Sequence, residues 1–254
     1  MAGGLYEAAR PYADAAAETW AEWAMRTAQR CAEGQRDWEA AEKWAQARSE
    51  RYSGNSGYDW IEFCVRTGEG QRTEASDFTL ELLKRFGDRD DEAVVIPRVS
   101  LLIARGEAGK TFDSLQRLIK AEAENPPGHQ LALVTLLAAA GLSGDQKLLD
   151  STAAQFLDQY KTTSPKFSGI LIKLREAIAK GDPNALDQKS IDTLIEETEA
   201  AGRIGPALVV ASYLEGAEQA EKAKPYWEQA ARKGQSFSWW LVIADGQLHP
   251  RKKP

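Results

Sequence analysis

The chain has 254 residues, of which 43% are hydrophobic and 28% are charged. This composition is typical of a soluble globular protein with a sizeable core, and it excludes an intrinsically disordered or membrane-embedded chain. The formal net charge of −6 disfavours nucleic acid as the main ligand, because binding to a phosphate backbone needs a basic surface.

The N-terminal segment does not resemble a secretory signal peptide, because no basic stretch is followed by an apolar one. The longest apolar stretches, such as LALVTLLAAAGL at 131–142, are too short to span a bilayer. Cys31 and Cys64 are the only cysteines and do not indicate a disulfide framework. We therefore expect a cytoplasmic protein that does not enter a membrane.

Helix-forming residues fill most of the chain, and apolar residues recur at spacings of three and four. Leu115, Leu118 and Ile119 are one example of this spacing. Alternating strand patterns are nearly absent. The sequence therefore predicts an all-α fold.

Six glycines recur in similar contexts, each between two apolar helical stretches. Their spacings are 34, 38, 35, 40 and 35 residues, along the series Gly34, Gly68, Gly106, Gly141, Gly181 and Gly216. Glycine is favoured after the last residue of a helix, where the backbone turns left-handed. The pattern predicts a repeated unit of two helices joined by a glycine turn.

The second helix of the first and last units carries a small–large–small triplet. Ala40, Trp44 and Ala47 form the first triplet, and its counterpart is Ala223, Trp227 and Ala230. Small residues allow two helices to approach closely while the tryptophan ring fills the space between them. We expect both tryptophans to pack inside the fold.

The glycine turn, this triplet and a closing proline such as Pro126 resemble the tetratricopeptide repeat, over roughly residues 12 to 245. The stretch KAKPYWEQAARKG at 222–234 is also similar to the Sel-one-like subclass. The resemblance implies a right-handed α-solenoid of antiparallel helix pairs. We expect a single solenoid over residues 1–248, with about six pairs and a closing helix near Phe237–Ala244. The SGNSG segment at 53–57 reads as a linker, and residues 249–254 form a basic tail.

The segment ARGEAGKT at 104–111 resembles a nucleotide-binding P-loop. A P-loop follows a strand, but Pro97 interrupts the apolar stretch before this segment, and Ala104 stands where the motif has its first glycine. In the repeat interpretation the same residues form a turn, and Thr111 caps the next helix. Nucleotide binding through GEAGKT stays open as the alternative function.

Metal and catalytic chemistry have little support in the sequence. His129 and His249 are the only histidines, and no histidine or cysteine cluster has the spacing of metal ligands. We expect His129 to be a surface residue at the start of a helix rather than a catalytic base. The sequence therefore predicts a protein that is not an enzyme and that needs no cofactor or metal.

Aromatic residues are dense between residues 20 and 63. We expect Trp20 and Trp23 to pack on the following helix, whereas Trp38 has no assigned role. In tetratricopeptide arrays the first helices line a concave groove that holds a peptide or a partner helix. Under that resemblance Arg26, Arg30 and Arg66 meet an acidic or C-terminal carboxylate group. The predicted partner-binding residues are Met25, Gln29, Arg30, Phe63, Arg66, Ile103 and Ser212.

These patterns predict a non-catalytic scaffold or adaptor that binds a protein or peptide partner in the groove, without nucleic acid or membrane. Aromatic and arginine side chains are enriched at such binding surfaces. The sequence does not predict the oligomeric state.

Overall fold

A computed structural model of the protein describes residues 3–52, 58–87, 89–199, 205–232 and 238–250. These residues form α-helices and short turns, with no strand among them, so the predicted all-α class is confirmed. The predicted linker at 53–57, Phe237 and the last four residues of the predicted tail lie outside the described residues. The chain divides into two compact units, Met1–Gly87 and Asp88–Pro254.

The first unit contains five described helices, and each one packs against the next along the chain. An N-terminal helix, Gly3–Ala17, comes before the helix pair around Gly34 and overlaps the first residues of the predicted repeat region. The Asp37 carboxylate caps the N-terminus of the third helix by accepting a hydrogen bond from the Ala40 amide at 3.2 Å. The helices are α1 Gly3–Ala17, α2 Glu22–Gly34, α3 Trp38–Arg51, α4 Asp59–Thr67 and α5 Arg72–Lys84.

The second unit contains nine described α-helices and two short 3₁₀ turns, Ala108–Thr111 and Pro183–Ala185. Consecutive helices again pack against each other, which is compatible with a helical repeat. The helices are α6 Glu92–Ala104, α7 Phe112–Ala121, α8 Pro126–Leu142, α9 Gln146–Tyr160, α10 Pro165–Lys180, α11 Gln188–Glu199, α12 Gly205–Gly216, α13 Ala220–Ala230 and α14 Trp239–Leu248.

Four helices that are apolar on nearly all sides, α6, α8, α12 and α14, form the centre of the second unit. A helix of this kind is stable only when neighbours cover every face. Helix α8 packs against α12, and α6 packs against α14, although many residues separate the members of each pair in the sequence. The repeat spacing predicts contacts between neighbours and did not predict these two long-range pairings.

The predicted left-handed turn is confirmed at three of the six glycines: Gly68 (φ 79°), Gly106 (φ 78°) and Gly181 (φ 63°). The prediction is wrong at the other three, because the left-handed residue follows slightly later in the chain, at Arg36, Gly144 and Glu218. Those three glycines lie where another segment comes too close for a side chain. A Cβ atom on Gly34 would lie 2.3 Å from the ring of Tyr6. One on Gly141 would lie 2.9 Å from the backbone of Ser212 and Tyr213, and one on Gly216 would lie 1.8 Å from the Gly141 carbonyl oxygen.

The two triplet tryptophans are buried, as predicted: Trp44 in the first unit and Trp227 in the second. The prediction for Trp23 is wrong, because this side chain is 68% exposed on the face of α2 opposite buried Met25. Trp20 lies in the turn before α2 and is 42% exposed, with its ring edge on Trp44 at 6.3 Å between centroids. Trp38 is half-buried at the start of α3.

Candidate functional site

A pocket of about 440 Å³ lies within the first unit, between α2, α3 and α4. Helix α2 contributes residues spaced three and four apart, and α4 does the same, so one face of each helix points to the pocket. Helix α3 contributes one arginine. The lining residues are Arg26, Gln29, Arg30, Glu33, Arg48, Asp59, Glu62, Phe63 and Arg66.

Arg48 is a buried charge in the wall of this pocket, with a side chain only 3% exposed. Its Nη2 lies 2.9 Å from Asp59 Oδ2 and 3.6 Å from Glu22 Oε1, and its Nη1 donates a hydrogen bond to Gln29 Oε1 at 3.0 Å. Within the described residues, Nε and Nη2 of Arg48 make no hydrogen bond, and neither does Asp59 Oδ2. The ion pair therefore holds the charges together but leaves hydrogen-bonding capacity unused.

Burial shifts the pKa values of Asp59 and Arg48. Desolvation raises the pKa of Asp59 from 3.8 to about 6, against the lowering effect of Arg48, and Glu62 adds to the rise. Desolvation also lowers the pKa of Arg48, which Asp59 partly offsets. A carboxyl group that titrates near pH 6 in a pocket is unusual, because exposed aspartates stay ionised well below that pH.

Arg66 is held in place by Glu33 on the facing helix. Its Nη1 and Nη2 donate to Glu33 Oε2 and Oε1 at 2.9 and 2.6 Å, which is a bidentate pair. Gln29 Nε2 donates to Glu33 Oε1 at 2.9 Å. The hydrogen bonds to Glu33 raise the pKa of the Arg66 guanidinium. This network joins α2 to α4 and orders one side of the pocket.

Two further arginines on α2 lie at the pocket rim. Arg26 is 49% exposed and donates to Glu22 Oε1 at 2.8 Å, one turn earlier in the helix. Arg30 is exposed, and no acidic partner is found for it among the described residues. Glu62 on α4 is half-buried near Arg48, Asp59 and Arg66, whose pKa values it influences by charge alone. The rim therefore presents the unpaired guanidinium group of Arg30, whereas the arginines deeper in the pocket are partly paired with carboxylates.

Four of the predicted partner-binding residues come together in this pocket: Gln29, Arg30, Phe63 and Arg66. Phe63 lines the pocket, and its side chain is fully buried. Met25 lies in the core beside Trp44 and is also fully buried. A partner-binding role for these residues stays a prediction.

The structure does not bring Ile103 and Ser212 into the pocket. Both lie in the second unit with side chains that are fully buried. Ile103 is on the apolar helix α6, and Ser212 Oγ donates to the Leu208 carbonyl within α12 at 2.7 Å. Neither side chain reaches a surface in this structure, because α6 and α12 are covered on nearly all sides.

Sequence reasoning missed Arg48 and Asp59, which carry the unusual electrostatics of the site. A signal for Arg48 was present, because it continues the apolar stripe of α3 formed by Ala41, Trp44 and Ala45. A charged residue on an apolar stripe is expected to be buried and paired. No such pattern distinguishes Asp59 from the many other carboxylates.

The P-loop resemblance does not have the structural context that the motif needs. The residues before it form helix α6 instead of a strand, and Ala108–Thr111 is a 3₁₀ turn. The Thr111 hydroxyl is buried and donates to the Ala108 carbonyl at 2.7 Å, so it does not cap α7 as predicted. Lys110 is 73% exposed and pairs with Glu107. These side chains are engaged locally.

His129 is buried, so its prediction as a surface residue is wrong. Helix α8 begins at Pro126 and carries His129 inward, where its Nδ1 lies 2.9 Å from the Tyr160 hydroxyl. Desolvation lowers the pKa of His129. Over the described ranges, no group of three histidine, cysteine or acidic side chains is arranged to hold a metal ion. In the same ranges no helix has both the length and the apolar character that crossing a bilayer requires.

The chain was compared with protein-family models, with curated proteins and with solved structures, and none of the three comparisons found a match.

Proposed function

We propose that the protein is a non-catalytic interaction protein that holds a segment of a partner protein in the pocket between α2, α3 and α4. One observation carries the proposal: four arginines from three helices meet at a single pocket. Arginine is enriched among the residues that dominate protein interfaces, because its planar fork binds several acceptors at once. The volume of about 440 Å³ lies in the range of ordinary ligand pockets, and is sufficient for one or two side chains of a partner.

The repeat architecture belongs to the same proposal. We infer a tetratricopeptide-like, right-handed solenoid of antiparallel helix pairs, in which α2 and α4 are the first helices of successive pairs. The α8–α12 and α6–α14 pairings depart from a regular solenoid, in which each repeat contacts only its neighbours. Support comes from the order of the helices, from the packing of consecutive helices and from the glycine turns at Gly68, Gly106 and Gly181. First helices that stand side by side explain why one face of α2 and one face of α4 share a pocket.

Arg30 offers the cleanest test of the proposal. Its side chain is exposed on a helix, so Arg30→Ala removes a rim guanidinium with little effect on folding. Phe63 is unsuitable, because truncation of a fully buried ring destabilises the unit whatever the pocket does. Arg85→Ala is the matched control, since Arg85 is also exposed in the first unit and does not line the pocket.

The experiment is affinity capture from an extract of the source cells, with crosslinking and quantitative mass spectrometry. We expect at least one protein that wild type and Arg85→Ala capture equally, that Arg30→Ala captures several-fold less, and whose crosslinks fall on α2 and α4. If every captured protein binds Arg30→Ala as well as wild type, the pocket is not the docking site and the proposal fails.

A further inference from the structure

We propose that the pocket between α2, α3 and α4 is a site for a tetrahedral dianion, the phosphate group of a phosphorylated side chain on the partner, and that Asp59 takes up a proton when the group binds. The inference that a partner protein carries this phosphate group rests on the proposed function. The oxyanion site itself rests on the pocket alone.

The distribution of the arginines over three helices favours a tetrahedral group. Guanidinium groups line the pocket from α2, α3 and α4. A carboxylate has two acceptor oxygens in one plane, whereas a phosphate monoester has three acceptor oxygens that point in different directions. Arginines that converge from three helices therefore match a phosphate better than a carboxylate.

Unused hydrogen-bonding capacity is the second observation. Arg48 is 97% buried, and its Nε makes no hydrogen bond within the described part of the chain, while its Nη2 faces Asp59 Oδ2 at 2.9 Å as an ion pair without hydrogen-bond geometry. A buried donor without an acceptor is costly, and such groups call for a ligand, water or ion. Arg30 adds a free guanidinium at the rim. Arg26 and Arg66 are each paired to one carboxylate and retain further N–H groups.

The charge of the lining explains why a proton accompanies the ligand. Four guanidinium groups and three carboxylates give a formal charge of +1. A dianion changes this charge to −1, and protonation of Asp59 returns it to zero. Asp59 is the carboxyl group suited to this step because its pKa is already about 6, while Arg66 keeps Glu33 engaged. A dianion beside Asp59 raises this pKa further, so binding and protonation favour each other.

The groups that face Asp59 come from three helices. Arg48 of α3 and Arg26 of α2 favour its ionised form, whereas Glu62 of α4 and Glu22 of α2 favour its protonated form. Asp59 is the group whose pKa is raised to about 6. The pH dependence of binding near pH 6 is therefore assigned to Asp59.

Inorganic sulfate is the first probe, because it stays a dianion between pH 5.5 and 7.5 whereas phosphate does not. Titration calorimetry or NMR at constant ionic strength should give binding that is roughly sixfold tighter at pH 5.5 than at pH 7.5, for a one-unit rise in the pKa of Asp59 on binding. Calorimetry at pH 6.5 in buffers of different ionisation enthalpy should show proton uptake.

Four variants of the full chain decide the residue assignment. Asp59→Asn should bind sulfate equally at both pH values. Arg30→Gln should weaken binding several-fold, and Glu62→Gln should strengthen it, while Arg85→Ala should match wild type. The Arg30 and Glu62 variants change accessible side chains, so they decide the question even if Asp59→Asn does not fold. The oxyanion site is refuted if wild type binds no sulfate at millimolar concentration, or if Arg30→Gln and Glu62→Gln both bind like wild type.

A second comparison identifies the source of the group. Peptides that carry phosphoserine should bind more tightly than inorganic phosphate, and the same peptides without phosphate should not bind. If inorganic phosphate binds as tightly as every phosphopeptide, the ligand is the free ion and the partner-borne group is wrong. If partner capture depends on Arg30 but neither sulfate nor phosphopeptide binds, this inference fails while the proposed function stands.

Discussion

Gly216, the last residue of α12, gives a sharp test of how the second unit is packed. A Cβ atom at Gly216 would lie 1.8 Å from the carbonyl oxygen of Gly141 on α8, and 3.2 Å from the Gly144 nitrogen. Real Cβ atoms essentially never lie closer than 3.0 Å to another heavy atom, so Gly216→Ala requires a displacement of at least 1.2 Å. Both obstructing atoms belong to the backbone, so no side chain can rotate out of the way.

The expected cost follows from this displacement. Extra atoms in a packed core cost about 1–3 kcal/mol, and more where the backbone itself must move. Alanine recovers at most about 1 kcal/mol of helix propensity relative to glycine. We therefore expect Gly216→Ala to lower the free energy of unfolding by about 2–4 kcal/mol, which corresponds to a fall in Tm of about 5–15 °C for a unit of this size.

Thermal and urea unfolding, followed by circular dichroism, measure this effect. Gly109→Ala is the matched control, because a Cβ there meets no atom within 4 Å and its backbone is not left-handed. We expect this control to change the free energy of unfolding by less than about 0.5 kcal/mol. If Gly216→Ala is as stable as Gly109→Ala, the close approach of α8 and α12 is wrong.

Three further predictions concern the pocket and the P-loop-like turn. Because the pKa of Asp59 rises from 3.8 to about 6 on folding, the unfolded chain releases this proton first, and the native state loses stability as the pH rises from 3.8 to 6. Asp59→Asn should remove this part of the pH dependence in urea unfolding, and an unchanged slope would contradict the burial of the carboxyl. Phe63→Ala should cost about 3–5 kcal/mol, whereas Arg30→Ala should cost less than about 0.5 kcal/mol; equal losses in chemical denaturation would show that their burial is misassigned. Calorimetry with Mg–ATP or Mg–GTP should detect no nucleotide binding that depends on Lys110. If wild type binds a nucleotide and Lys110→Ala does not, the nucleotide-binding alternative is restored.

The helical class and many of the turns were predictable because they depend on local chemistry. Helix propensity and apolar spacing act within one or two turns of chain, so they identify helices such as α7 and α13 directly from the sequence. The left-handed turn at Gly68 also depends on its own backbone. Gly34 and Gly216 have similar local contexts but serve close packing instead, and only the neighbouring segment distinguishes the two roles.

The candidate site was partly predictable for the same reason. The face of α2 that carries Gln29 and Arg30 follows from helical spacing once the helix is located. The burial of Arg48 and the raised pKa of Asp59 depend on how closely α2, α3 and α4 pack, which determines how much water reaches each group. The desolvation of a side chain cannot be predicted from the order of residues alone, because it depends on the tertiary packing.

The sequence by itself determined that the chain forms successive helices with a glycine near many helix ends, because propensity and periodicity are short-range properties. Only the tertiary structure decided that α8 meets α12 and α6 meets α14 across long stretches of chain. It also decided that Trp23 is exposed, that His129 is buried, and that a pocket forms around Arg48. The physical reason is that burial depends on which surfaces meet. By sequence an apolar helix could pack against several neighbours, and the close packing of the core selects one of them.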